Sequence, residues 1–223
     1  WYYSALISLA KDDIAAAEDY LKYALEIDPD NFWYRYRLAG IYAVTSRIEL
    51  TVDIYETLLE DFPQKSDLYF DLAELYSAQG EFEKALKTLD EIEAVFGVTE
   101  SIAIYRFNLL RNMNRMQDAF ASLEEYNKKY SSPYILSTLA DYQISMYNDS
   151  TALAYYNEAL DLAPDFSPAL LGKAEVLRMT RKYGDYFEVL NKYVSSSDSP
   201  SQGKCDYLMA VIQRTDPKFV RSF

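Results

Sequence analysis

Ser66-Asp-Leu-Tyr-Phe-Asp-Leu-Ala-Glu-Leu-Tyr-Ser-Ala-Gln-Gly80, followed by Glu81-Phe-Glu-Lys-Ala-Leu-Lys-Thr-Leu-Asp-Glu-Ile92, is the stretch that decides the fold. Leu68, Leu72, Leu75 and Tyr76 recur at three- and four-residue steps, which places them on one face of a helix. Gly80 predicts the end of that helix, because glycine readily takes the left-handed conformation needed past a last turn. A second amphipathic helix is expected from about Glu81 to Val95. Ala73 and Ala85 are small where the two helices would cross, so their backbones can approach closely. A larger side chain there would cost about 1–3 kcal/mol in overpacking.

The same pattern returns along the chain. Pro29, Pro63, Gly97, Ser131, Pro164 and Asp198 fall 34, 34, 34, 33 and 34 residues apart, each following a run like Ala17-x3-Leu21-x2-Ala24. A fixed period of this size predicts stacked helix pairs, none of which can bury its apolar face alone. The run Leu72-Ala73-x2-Tyr76-x3-Gly80-x-Phe82-x2-Ala85 resembles the tetratricopeptide repeat, and Leu38-Ala39-x2-Tyr42 and Leu139-Ala140 resemble its first helix. Ala152-x3-Tyr156-x2-Ala159-x4-Pro164 resembles its second. The resemblance implies an all-α, right-handed solenoid of antiparallel helix pairs, similar to bacterial multi-repeat proteins of this family. The expected units are residues 1–31, 32–65, 66–99, 100–132, 133–166 and 167–198, with 199–223 as a capping helix or partial seventh unit.

Two units depart from the pattern. The fourth carries Arg106-Phe107 for Leu-Ala, puts Tyr126 at a small position, and is one residue short. The sixth has Lys173-Ala174, and Tyr186 and Tyr193 replace small residues, which predicts looser or rotated packing. Ser195 to Gly203 reads as a breaker-rich turn before an apolar helix at 204–214, stopped by Asp216-Pro217. Lys218 to Phe223 is expected to form a short turn or to fray.

Composition narrows the function. The 223 residues hold 22 basic and 35 acidic side chains, a net charge of −13, which opposes binding to nucleic acid or to an anionic membrane surface. Basic or aromatic-rich protein segments suit it. There is no histidine, and the single Cys205 forms no internal disulfide. No phosphate loop, serine elbow, zinc pattern or calcium loop occurs, so no cofactor, metal or enzymatic activity is expected. Paired carboxylates such as Asp12-Asp13 and Glu124-Glu125 read as solvated helix faces. No apolar run is long enough for a membrane span. Localisation is left open, with a Tyr-, Asp- and Ser-rich composition similar to bacterial envelope-associated repeat proteins on the periplasmic side.

The resemblance further implies a concave groove lined by the first helix of each unit, where partner peptides bind. Its expected lining includes Tyr3, Trp33, Tyr36 and Arg37, then Phe70, Asp71 and Glu74, and then Tyr105, Asn108, Arg111 and Asp141. Ser137, Glu175 and Arg178 are expected there as well. Trp33 should stand off the buried face, which Leu38, Ile41 and Tyr42 already supply. Changing both Trp33 and Tyr36 to alanine is expected to remove binding without altering the fold. The clamp that some members use for terminal carboxylates needs Lys and Asn where this chain has Tyr2, Leu6, Arg37, Asp67 and Asp71. Acidic residues would repel that ligand. The expected role is therefore a non-catalytic protein-interaction scaffold; the alternatives are self-assembly through the solenoid ends and a recognition arm of a larger enzyme or envelope complex.

Overall fold

The computed structural model describes residues 1–214; the expectations for Asp216-Pro217 and for Lys218 to Phe223 lie outside them. Thirteen helices make up the described residues: α1 (Tyr2–Ala10), α2 (Ile14–Ile27), α3 (Phe32–Val44), α4 (Ile48–Asp61), α5 (Ser66–Ala78), α6 (Phe82–Phe96), α7 (Glu100–Asn112), α8 (Met116–Tyr130), α9 (Pro133–Ser145), α10 (Asp149–Leu162), α11 (Ser167–Met179), α12 (Tyr183–Ser195) and α13 (Ser201–Arg214). They pack as antiparallel pairs, α1 on α2, α3 on α4, α5 on α6, α9 on α10 and α11 on α12. The chain forms two compact units, residues 1–119 and those from 120 on.

The period is written in the backbone. Asp12, Ser46, Gly80, Asn114, Tyr147 and Arg181 all have positive φ, at intervals of 34, 34, 34, 33 and 34 residues. Each follows the last turn of an odd-numbered helix. The next amide reaches back five residues to close it, as in Arg47 N–H to the Tyr42 carbonyl at 2.8 Å and Glu81 N–H to the Tyr76 carbonyl at 2.8 Å. These two-bond closures satisfy carbonyls that the helix end would otherwise leave unpaired. The reversal they produce turns the chain directly into the following helix.

Side-chain caps start several of the odd-numbered helices. Asn31 accepts from the amides of Trp33 and Tyr34, Thr99 from Ile102, and Ser132 from Ile135. Asp198 caps α11 from a distance, its carboxylate accepting from the Ser167 amide at 2.9 Å. In the first unit the core runs from Ala5, Ala17 and Leu21 to Leu38 and Ile41, and onward through Leu58, Leu72, Ala73, Ala85 and Leu89. Ala73 and Ala85 are fully buried, as close crossing of α5 and α6 requires.

In the second unit the core is built around tyrosines. Tyr156 is fully buried, and its ring occupies the space a Cβ on Gly172 would need, 2.2 Å from Cζ. Tyr186 and Tyr193 are also buried, packed with Leu170, Ala174 and Leu190 and against Tyr207 of α13. The expected loosening at α12 is thus replaced by a filled core, because α13 supplies a ring to meet those two tyrosines. That helix also begins at Ser201 instead of residue 204, with Pro200 just before it and Gly203 inside its first turn.

Candidate functional site

Asn31 fixes the start of α3 and so sets Phe32 and Trp33 in its first turn. Phe32 lies edge-on to Phe62 (centroids 5.2 Å apart) and stacks on Tyr36 (5.7 Å, interplanar 9°), which stacks in turn on Tyr55 (5.8 Å, 18°). Trp33 stands edge-on to Phe32 at 5.1 Å and to Tyr36 at 6.4 Å, and remains 53% exposed. The Lys65 ammonium sits 5.0 Å from the Phe32 ring and 5.9 Å from that of Trp33. Such offset and edge-on pairs each add about 0.5–1.5 kcal/mol beyond buried area, so the shelf that presents Trp33 is preassembled.

The Tyr36 hydroxyl donates to Asp71 Oδ2 at 3.1 Å, tying α3 to α5. Burial raises the Asp71 pKa above the usual carboxylate range; the Tyr36 bond opposes this, and the charges of Asp67 and Glu74 add to it. Burial and the neighbouring Asp71 charge raise Tyr36 in turn. Phe70 of α5 meets Tyr105 of α7 at 6.0 Å, and burial followed by the Glu74 charge raises Tyr105. Asn108 is half-buried one turn along α7, and Arg111, exposed, holds its guanidinium 5.6 Å from the Phe107 ring. Arg37 and Glu74 are exposed.

The structure therefore links Trp33, Tyr36 and Asp71, and separately Phe70 and Tyr105. Tyr3, 78% exposed on α1, has Tyr2 as its ring neighbour at 5.8 Å, outside the Trp33 shelf. Asp141 lies in the second unit, where it accepts the Tyr156 hydroxyl. Three further expectations change. Ser137 is buried and donates to the Pro133 carbonyl at 2.9 Å. Glu175 takes the Tyr207 hydroxyl at 2.7 Å and two Arg178 nitrogens at 2.9 and 2.7 Å, so both residues are engaged within the fold. Tyr36, half-buried in a stack and hydrogen-bonded, supports the fold as well as the surface, so its loss would lower stability.

Sequence reasoning missed Phe32, Tyr55 and Lys65. The separation of Tyr36 and Asp71, one period plus a residue, was a usable signal that they would meet. Among the described residues no group of His, Cys, Asp or Glu side chains could hold a metal ion, and no helix is long and apolar enough to cross a membrane.

Residues 47–97, spanning α4 to α6, match the family model of the tetratricopeptide repeat. That segment carries the tetratricopeptide repeat. The chain's fold is shared with a tetratricopeptide repeat protein from Parabacteroides merdae (17% identity, TM-score 0.51, 98% of this chain and 93% of that one). It is shared also with pilF of Pseudomonas aeruginosa (17% identity, TM-score 0.52, 75% of this chain and 77% of that one). A third likeness is to a chain of the Naa15/Naa10 structure bound to HypK, at 19% identity and TM-score 0.62, covering 88% of this chain but 32% of that one. At such identities the likeness is one of fold. No curated protein matches the sequence. Tetratricopeptide repeats generally mediate protein–protein interactions and typically form non-catalytic scaffolds.

Proposed function

We propose that the first unit binds a segment of another protein across the face made by α3, α5 and α7, as a non-catalytic scaffold. The observation that carries this reading is Trp33, half in solvent yet held edge-on by Phe32 and Tyr36. A rigid, amphipathic ring gives contact area at little entropic cost, and tryptophan is enriched among the residues that dominate binding energy. Asp67 and Glu74 flank Asp71 along α5, and among the described residues no cation pairs with either. Their charges favour a partner segment bearing lysine or arginine beside an aromatic or apolar residue.

The test is to capture partners with the intact protein, identify them by mass spectrometry, and titrate a captured partner calorimetrically. Replacing Asp67 and Glu74 with lysine should weaken the complex and reduce its salt sensitivity, since exposed charges act through screened Coulomb forces. Affinity indifferent to both salt and these changes would remove the electrostatic half of the reading.

A further inference from the structure

Leu38, Leu72, Arg106, Leu139 and Lys173 fall 34, 34, 33 and 34 residues apart, at one position of successive first helices. The three leucines are 6, 3 and 1% exposed, so this position faces the core. The two cations that occupy it meet different surroundings. Arg106 of α7 bonds Asp90 at 2.7 Å and Glu93 at 2.8 Å on the preceding α6. Those carboxylates lie 16 and 13 residues before it, and the same count back from Lys173 reaches Asn157 and Leu160 of α10. Lys173 therefore holds a cation at this position without the carboxylates that serve its counterpart.

The surroundings of Lys173 lie wholly inside the second unit. It is half-buried on α11, one turn from Leu170 and Leu177, which pack into a core that Leu160 joins. A lysine stem covers such apolar surface while its amine seeks the edge. Among the described residues no carboxylate forms an ion pair with that amine. Burial first, and the Lys192 charge on α12 second, push it below the ordinary lysine value, opposed by the charges of Glu188, Asp161 and Asp185. Lys192 is itself engaged with Glu188 at 3.5 Å. Desolvation and a neighbouring cation are the two conditions that turn a lysine amine into a nucleophile near neutral pH.

We propose that Lys173 is a modification site, acylated by small activated acyl donors of the acyl-phosphate class. The neutral ε-amine attacks the acyl carbon, and a C–N bond forms. The bond from that carbon to the phosphate oxygen breaks, inorganic phosphate leaves with the electron pair, and the surplus amine proton passes to solvent. The product is an amide without charge, which suits a position beside Leu160 better than an unpaired ammonium does. The site is separate from the Trp33 face and needs no partner protein.

Acetyl phosphate added to the intact chain at neutral pH tests this, with the rate at each lysine read by peptide mass mapping. Lys173 should be acetylated at least about threefold faster than Lys182, which is exposed and has no ion pair among the described residues. Asn157→Asp, at an exposed position, restores the carboxylate that Asp90 supplies to Arg106. It should bring Lys173 down to the Lys182 rate with an unchanged circular dichroism spectrum. In urea the advantage of Lys173 should vanish, because the fold creates it. Equal rates for the two lysines in the folded chain, indifference to Asn157→Asp, or an advantage that survives unfolding would each overturn the proposal.

Discussion

Tyr147 holds a left-handed backbone with φ of 59° while its ring is 91% exposed, so packing offsets little of the strain. Gly80 occupies the equivalent turn between α5 and α6 without that cost. Tyr147→Gly should therefore stabilise the protein by about 0.5–1 kcal/mol, the left-handed penalty less glycine's greater unfolded-state entropy. Thermal melting checks it, and a lower melting temperature would show that the tyrosine ring contributes more than the strain removes. Gly172 behaves in the opposite way. Alanine favours a helix interior, yet its methyl would meet the buried Tyr156 ring at 2.2 Å. Gly172→Ala should therefore lower stability by about 1–3 kcal/mol, seen as a reduced denaturation midpoint. Gly80 was legible as a stop signal in the sequence. Tyr147 and Arg181 were not, because neither residue type announces a left-handed turn; only the period locates them.

Between elements, carboxylates recur as acceptors for groups on neighbouring helices. Tyr36 bonds Asp71, Tyr76 bonds Glu56, Tyr156 bonds Asp141, and Tyr207 bonds Glu175. Four of the chain's 22 tyrosines and four of its 35 acidic residues thereby act as internal struts. Glu18 of α2 has a different partner, the Arg47 guanidinium at the start of α4, bonded at 2.8 and 2.5 Å. The Arg47 bond holds Glu18 down at about 2, against an ordinary 4.5. Because the folded value is the lower one, the pair's contribution is complete above pH 4.5 and fades as pH falls toward 2. Arg47→Ala should thus be less stable than the parent at pH 6, with the gap closing on acidification. A gap of constant size would show that Arg47 acts through its contact with the Tyr42 ring, 4.4 Å away, instead of through charge. The helix starts at Phe32, Ser66, Glu100, Pro133 and Ser167 were readable from the apolar spacing, with local side-chain caps marking those at Phe32, Glu100 and Pro133. The filled core beneath α12 was not readable. Its partner ring, Tyr207, comes from a helix whose docking no local pattern specifies.

For the molecule as a whole, the 34-residue period and a net charge of −13 bound the class of function, and the side chains then divide the surface. The sequence placed the aromatic and acidic residues of α3 and α5 on a common face. It could not separate those that bear the fold from those left for a partner, because a tyrosine serves both uses. Packing separates them: Tyr36 is stacked and bonded, Trp33 is held and exposed. The binding claim accordingly rests on Trp33, and the most direct measurement is calorimetric affinity of Trp33→Ala for a partner captured by the intact protein. We expect at least about a 30-fold loss of affinity, the scale of a central aromatic anchor at about 2 kcal/mol, with the circular dichroism spectrum unchanged and the melting temperature lowered only by the lost contacts to Phe32 and Tyr36. An affinity equal to that of the parent protein would contradict the assignment of this face.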